Sequence, residues 1–233
     1  MMRRIALTIV GVLAGCTPTY APPLQTVHGG APGRVREGDV ALVGGVGGTV
    51  LGPHMGGPSV SYGVRDAWAV EAGANASANS WAMGYAGARY THAPRRFAKN
   101  YLAVDVHGAG GAGVGGNLRG NEPVEDGGDG RSWSDRVAGG GAAGAGVAGH
   151  FSFFSVYARG RSQVTSATGV PTTLWVDGGL GIQFRLFRTV DLFTQASWFM
   201  YRNRVEMIYG PSGVPLWEAG LAVRIPTWKY RRR

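Results

Sequence analysis

The sequence predicts an all-β protein, a single antiparallel up-and-down transmembrane β-barrel of ten strands, with eight strands as the alternative. Three observations predict it. From about residue 36 onward, apolar residues recur at every second position in a series of short runs. No stretch of about 18 apolar residues follows the amino-terminal segment, so a membrane helix is excluded. Short and long links alternate between the runs, as in barrels of the outer membrane.

Residues 1–15 have the pattern of a secretory signal peptide. Arg3 and Arg4 precede an apolar run too short to span a membrane, and Cys16 follows two small residues. Cys16 is the only cysteine, so it has no internal disulfide partner. Residues 13–16 resemble the lipobox of bacterial lipoproteins, and the resemblance implies cleavage before Cys16 and acylation of that residue. Several acyl chains together anchor a protein stably. A chance cysteine at the end of an ordinary signal peptide is the alternative.

The four predicted segments of the chain differ in composition. Residues 16–35 are interpreted as a lipidated linker, unstructured or extended, because prolines alternate there with glycine and threonine. Residues 36–226 form the predicted barrel, and residues 227–233 form a basic tail. The ten predicted strands cover about residues 36–49, 57–64, 67–76, 80–91, 100–115, 135–148, 152–163, 173–186, 190–202 and 215–225.

Loop lengths orient the predicted barrel in the membrane. Longer links are predicted at residues 117–134, 164–172 and 203–214. Tighter turns are predicted at the opposite end of the barrel. Short turns of such barrels face the periplasm and long loops face outward. Ten strands therefore place both the N-terminus and the C-terminus in the periplasm. The residue after the cysteine is Thr17 rather than the Asp that retains enterobacterial lipoproteins at the inner membrane, which favours an outer-membrane location.

The alternating faces predict a charged lumen. In the eighth strand Leu174, Val176, Leu180 and Ile182 share one face, and Asp177 lies on the other. The polar faces of the strands together carry both signs of charge, which would neutralise each other inside a narrow barrel. The predicted lumen network consists of Glu71, Asp105, His107, Arg159, Arg161, Asp177, Arg185, Glu218 and Arg224.

Aromatic residues gather near the ends of the predicted strands, while the strand middles are rich in Gly, Ala and Val. Two such belts are typical of a bilayer interface. The predicted periplasmic belt contains Tyr62, Trp68, Tyr90, Tyr101, Phe154, Phe184 and Phe187. The predicted external belt contains Trp81, Trp133, Trp175, Trp198, Phe199 and Trp217. Glycine runs in strands five and six indicate either room inside the barrel for bulky residues such as Tyr157 and Trp175, or a flat seam for a partner.

Residues 218–225 carry a polar residue, a glycine two positions on, and hydrophobic residues at every second position. This segment resembles the terminal assembly signal of outer-membrane barrels. Over roughly residues 36–225 the pattern is similar to that of small outer-membrane β-barrels of the opacity-protein type. The chain departs from that family by ending the last strand with Ile225 rather than an aromatic residue, and most family members are not lipidated. A periplasmic lipoprotein barrel is the alternative that these departures leave open.

The candidate chemistry is sparse. Asp105 and His107 share a face and allow a rim-sited hydrolase, but a salt-bridged lumen is the simpler interpretation. The acidic loop at residues 117–134 does not have calcium-loop spacing, and the five histidines do not have zinc spacing, so no metal or cofactor is predicted. The formal charge of +9 is scattered, and an exported protein rarely meets nucleic acid, so no nucleic-acid partner is predicted.

The predicted function is therefore a non-enzymatic outer-membrane β-barrel lipoprotein with a structural or interaction role at the cell envelope. The alternatives are a narrow channel for small solutes or ions and the rim-sited hydrolase. The predicted partners are outer-membrane lipids, lipopolysaccharide and an envelope protein, because basic residues cluster near both ends of the barrel. These residues are Arg95, Arg96, Lys99 and residues 231–233 on the periplasmic side, with Arg202 and Arg204 at the outer rim.

Overall fold

The computed structural model describes residues 21–49, 52–77, 81–94, 100–115, 136–202 and 212–226. Cys16, the acidic loop and the basic tail lie outside these residues. Among the described residues, no helix is long and apolar enough to span a membrane.

Ten antiparallel strands close into one barrel in the order of the chain, and β1 pairs with β10. The predicted strand number and topology are confirmed. The end at which β1 begins and β10 finishes is here called the terminal mouth, and the opposite end the loop mouth. The strands are β1 Val40–Thr49, β2 Gly52–Arg65, β3 Trp68–Ser77, β4 Trp81–His92, β5 Tyr101–Gly115, β6 Val137–His150, β7 Phe154–Ala167, β8 Val170–Arg185, β9 Val190–Arg202 and β10 Ser212–Ile225.

The connection between β7 and β8 and the start of β2 differ from the prediction for local reasons. The predicted long loop at residues 164–172 is wrong, because β7 and β8 continue to a tight turn at Thr168 and Gly169. Gly169 has a φ of 71°, the left-handed conformation that such a hairpin turn needs. β2 begins five residues earlier than predicted, and its pairing with β3 passes over Gly57 and Pro58. Proline lacks the N–H that the ladder requires, so this stretch reads as a turn in the sequence.

The two faces of the wall have opposite character. Asp177 is 3% exposed on the inner side of β8, whereas Leu180 is 71% exposed on the outer side. The inner face carries most of the buried charged and amide side chains, and the outer face carries most of the exposed large hydrophobic ones. A soluble barrel has the reverse arrangement, with a dry interior. Charge inside and hydrocarbon outside is the arrangement of a barrel that lies in a bilayer.

The aromatic belts are only partly as predicted. Tyr62, Trp68, Phe184 and Phe187 are exposed near the terminal mouth, and Trp198 and Trp217 are exposed near the loop mouth. Trp133 lies outside the described residues. Trp81, Trp175 and Phe199 do not belong to the external belt, because they point into the lumen and are at most 5% exposed. They pack there in two apolar clusters, one of which contains Leu24 from the amino-terminal segment.

The described part of the predicted linker lies inside the barrel rather than outside it. Residues 21–35, here called the plug, have no regular secondary structure and lie inside the lumen. Ala21, Leu24 and Thr26 are at most 1% exposed, and His28 is 5% exposed. The expectation of a tether between lipid and barrel is therefore wrong for this part of the chain. Burial in the lumen removes the apolar side chains of the plug from water, which stabilises the folded state.

Candidate functional site

The plug crosses most of the length of the lumen. Near the loop mouth, Ala21 N donates to Thr173 Oγ1 at 3.0 Å, and Trp175 Nε1 donates to Ala21 O at 3.1 Å. Near the terminal mouth, Ala31 N donates to Gln183 Oε1 at 2.8 Å. Residues 173 and 183 are separated by roughly 33 Å along β8, given a rise of about 3.3 Å per residue.

Wall side chains replace the backbone partners that the plug lacks. Gln163 makes two hydrogen bonds of 2.8 Å with Gln25, because its Oε1 accepts from the backbone N–H and its Nε2 donates to the carbonyl oxygen. Asn75 Nδ2 donates to Leu24 O at 3.2 Å, and Asn75 Oδ1 accepts from Thr26 Oγ1 at 3.0 Å. A buried chain without a helix or sheet ladder must have such partners. The amide side chains of the wall therefore supply the hydrogen-bond partners that hold the backbone of the plug in place.

His28 is the centre of the charged part of the site. Its backbone N–H donates to Glu218 Oε2 at 3.0 Å, and its carbonyl oxygen accepts from the Arg159 guanidinium. Its Nε2 lies 2.5 Å from Asp177 Oδ1, while Asp177 Oδ2 accepts from Arg161 Nε at 3.0 Å. One plug residue thus contacts three charged residues that belong to three different strands, and Arg161 joins the group through Asp177.

A second charged group lies on the opposite wall. Arg89 pairs with Glu71, and Arg89 Nε lies 3.9 Å from Asp105 Oδ2. Asp105 also pairs with Arg159, which joins this group to His28 of the plug. The four wall side chains of this group come from the inner face, so the whole assembly is held in a space that bulk water does not fill.

The structure places the nine predicted network residues in three settings. Glu71, Asp105, Arg159, Arg161, Asp177 and Glu218 lie together in the buried centre described above. Arg185 and Arg224 instead lie at the terminal mouth, where both approach Asp191, at 3.8 Å and 2.9 Å. His107 lines a small cavity beside the plug, and its buried Nδ1 has no hydrogen-bond partner among the described residues.

Several functional side chains were missed by the sequence reasoning. Arg89 lies on the same face of β4 as Trp81 and Met83, so alternation along the predicted strand would have found it. His28 had no comparable signal, because the segment that carries it has no period. His150 also belongs here, since its Nε2 lies 2.6 Å from Pro32 O and its Nδ1 lies 2.7 Å from Ser155 Oγ.

The plug leaves little free volume in the lumen. The cavities beside it measure about 60 and 20 Å³. A water molecule needs roughly 10–15 Å³ of such volume, so these cavities hold a few waters at most. A larger cavity of about 540 Å³ lies at the terminal mouth and is lined by Arg34, Arg36, Arg185, Arg188 and Arg224, with Asp39 and Asp66. Among the described residues there is no cluster of three or more side chains that could hold a metal ion.

Glycine on the inner face makes room for the plug. A Cβ on Gly45 would stand 2.8 Å from Val27 Cγ1, and one on Gly111 would stand 2.6 Å from Leu24 Cδ1. The interpretation of glycine as internal space therefore holds for Gly111, but Leu24 occupies the space there. Tyr157 lies instead against Gly181 of β8, where a Cβ would stand 2.3 Å from its ring.

The change Gly146→Ala is expected to destabilise the barrel by about 1–3 kcal/mol, the usual cost of overpacking. The added Cβ would stand 2.8 Å from Pro32 Cγ and 2.9 Å from Arg159 Cγ. The midpoint of urea unfolding, followed by gel mobility in lipid vesicles, measures the loss. Gly110→Ala is the matched control, because its Cβ faces the lipid with its nearest neighbour at 3.8 Å. Equal midpoints for the two variants would contradict the close contact with Pro32.

No family model matches the sequence, and no curated protein matches it significantly. Solved structures do show a similar fold. The N-terminal β-barrel domain of Pseudomonas aeruginosa OprF is 11% identical, with 81% of this chain and 98% of that chain covered and a TM-score of 0.37. The outer membrane protease OmpT from Escherichia coli is 9% identical, with 80% and 95% covered and a TM-score of 0.33. Ail, the attachment invasion locus protein of Yersinia pestis, is 10% identical, with 81% and 99% covered and a TM-score of 0.23. At these identities the likeness concerns fold alone, and the chain itself has the closed antiparallel architecture of the small outer-membrane β-barrels, charged inside and apolar outside.

Proposed function

We propose that the protein is a non-enzymatic outer-membrane β-barrel lipoprotein with a structural or interaction role at the cell envelope, and that its own amino-terminal segment keeps the lumen closed. The observation that carries this proposal is the plug. Its hydrogen bonds to Thr173, Gln163, Glu218 and Gln183 occupy polar wall side chains that would otherwise face a solute pathway. A barrel built to conduct would leave such groups to water.

The outer wall supports the membrane location. Leu180, Leu102 and Val106 are each at least half exposed on the outside of the barrel, which is costly in water and favourable in hydrocarbon. The terminal mouth adds a lipid-binding rim, because its arginines suit the anionic headgroups of the inner leaflet. Lipid anchoring through Cys16 rests on the lipobox-like residues 13–16.

The other candidate functions have less support. A channel requires the plug to leave the lumen, since the cavities beside it are about 60 and 20 Å³. A hydrolase based on Asp105 and His107 requires a hydrogen bond between them. Asp105 instead pairs with Arg159, and His107 Nδ1 makes no hydrogen bond with any described residue.

Gel mobility and acyl labelling test the proposed function. In membrane fractions, the unboiled protein is expected to migrate faster than the boiled protein and to sediment with the outer membrane. The protein is expected to incorporate radiolabelled palmitate, and Cys16→Ala is expected to abolish that label while leaving the mobility shift unchanged, because the barrel folds without the lipid. A soluble Cys16→Ala protein that lacks the shift would rule out the membrane barrel. A label that survives Cys16→Ala would rule out this anchor.

A further inference from the structure

We infer that the chain is threaded outward through its own barrel, so that the residues before Ala21 lie on the loop side of the membrane and a lipid on Cys16 is anchored in the outer leaflet. This inference rests on the proposed outer-membrane lipoprotein for its orientation. It replaces the expectation that the N-terminus lies in the periplasm.

The direction of the plug follows from the order of its contacts. Along β8, Thr173 contacts Ala21, Asp177 contacts His28 and Gln183 contacts Ala31. β8 starts at the loop mouth and ends at the terminal mouth, so both chains run the same way. β7 runs in the opposite direction and shows the reverse order, with Arg159 at His28, Gln163 at Gln25 and Thr165 at Ala21.

The chain continues from the plug into the wall at the terminal mouth. Asp39 N donates to Arg36 O at 2.9 Å, and Gly38 N donates to Gly63 O at 2.7 Å, which turns the chain into β1. β1 then runs back toward the loop mouth. The plug therefore enters the lumen at the loop mouth and leaves it at the terminal mouth when it is followed from Ala21 toward Val40.

The reach of the remaining chain keeps Cys16 on the loop side. Five peptide units separate it from Ala21, and they span at most about 18 Å when fully extended. Thr173 and Gln183 lie roughly 25 Å apart along the barrel axis, if strands rise about 3.3 Å per residue and tilt by about 40°. The cavities that the described residues form beside the plug measure only about 60 and 20 Å³, which is too little for a second length of chain. Cys16 therefore does not reach the terminal mouth.

The loop mouth is built around this exit. Leu24 packs against Trp81 and Met83, while Trp175 donates to Ala21 O and packs against Phe199 at a ring distance of 5.1 Å. These aromatic side chains turn away from the bilayer interface and close around the emerging chain. The apolar side chains of the loop mouth therefore pack around the end of the plug at which Ala21 lies.

The test compares two positions of one epitope on intact cells. A short epitope inserted between Thr17 and Pro18 is expected to bind antibody equally on intact and on permeabilised cells. The same epitope placed after Arg233 is the matched control, because the carboxyl terminus leaves β10 at the terminal mouth and is expected to bind only after permeabilisation. An inserted epitope that needs permeabilisation would overturn the inference.

Two further measurements on the same cells separate the causes of failure. If the amino-terminal epitope is hidden while the mobility shift and the outer-membrane sedimentation are intact, the threading is wrong and the proposed function stands. Loss of the shift as well would sink both. To verify that the insertion leaves the plug in place, Val27→Cys and Gly45→Cys are combined with Cys16→Ala. Val27 Cγ1 lies 2.8 Å from the Cβ position of Gly45, which suits a disulfide, so both thiols are expected to resist alkylation until reduction. Free thiols would overturn the lumenal position of the plug.

Discussion

Deletion of residues 21–35 is expected to convert a closed barrel into one that conducts ions. The plug supplies the atoms that fill the lumen between Thr173 and Gln183, and its removal exposes Gln163, Asp177, Glu218 and Arg159 to water. These polar side chains are favourably hydrated, so the emptied lumen is expected to fill with water rather than collapse. A ten-stranded lumen is barely wider than its own side chains, so only small ions and solutes would pass.

Planar bilayers measure this effect directly. The wild-type protein is expected to carry no current, and the variant that lacks residues 21–35 is expected to show discrete current steps in the same lipid. Deletion of residues 17–20 is the matched control, because it shortens the chain before the plug and leaves the lumenal contacts in place. A deleted protein that keeps its mobility shift and stays silent would show that the plug does not close the barrel. Equal currents from the wild-type protein would show the same.

The alternation of side chains made most of the barrel predictable. A strand has a period of two, so Asp177, Arg161 and Glu218 identify the inner face of three strands without any knowledge of their partners. The same rule assigns Trp175 to the inner face, because it is two positions from Asp177. The external belt was predicted from position along the strand instead, and it failed for Trp81, Trp175 and Phe199, whose faces place them inward.

The plug was harder to predict, because its bonds are made to side chains far away in the sequence. Gln25 pairs with Gln163, and His28 N with Glu218, across separations of 138 and 190 residues. Proline and glycine give such a segment no period, so its local pattern is that of a linker. One local signal was present, since residues 17–33 contain no Asp, Glu, Lys or Arg. A water-exposed linker of that length usually carries charge, and an uncharged one is compatible with burial.

The buried charges of the wall have a common consequence for stability. Asp105 is fully buried, pairs with Arg159 and lies 3.9 Å from Arg89. Its replacement leaves Arg159 with a buried charge whose remaining hydrogen-bond partner among the described residues is the carbonyl oxygen of His28. Removal of one member of a buried pair costs about 3–5 kcal/mol, much more than an exposed pair contributes. Removal of one member of a buried pair is therefore expected to destabilise the fold more than replacement of both members together.

Asp105→Ala is accordingly expected to lower the free energy of unfolding by about 3–5 kcal/mol, measured by urea unfolding in lipid vesicles. Arg185→Ala is the matched control, because the Arg185 side chain is 42% exposed at the terminal mouth and lies 3.8 Å from Asp191. An exposed pair of this kind contributes about 0–1 kcal/mol. Asp105→Ala combined with Arg159→Met is expected to recover most of the loss, because the unpaired buried cation is removed and Arg89 keeps its contact with Glu71. Equal losses from Asp105→Ala and Arg185→Ala would mean that water reaches Asp105, and the closed lumen would then be wrong as well.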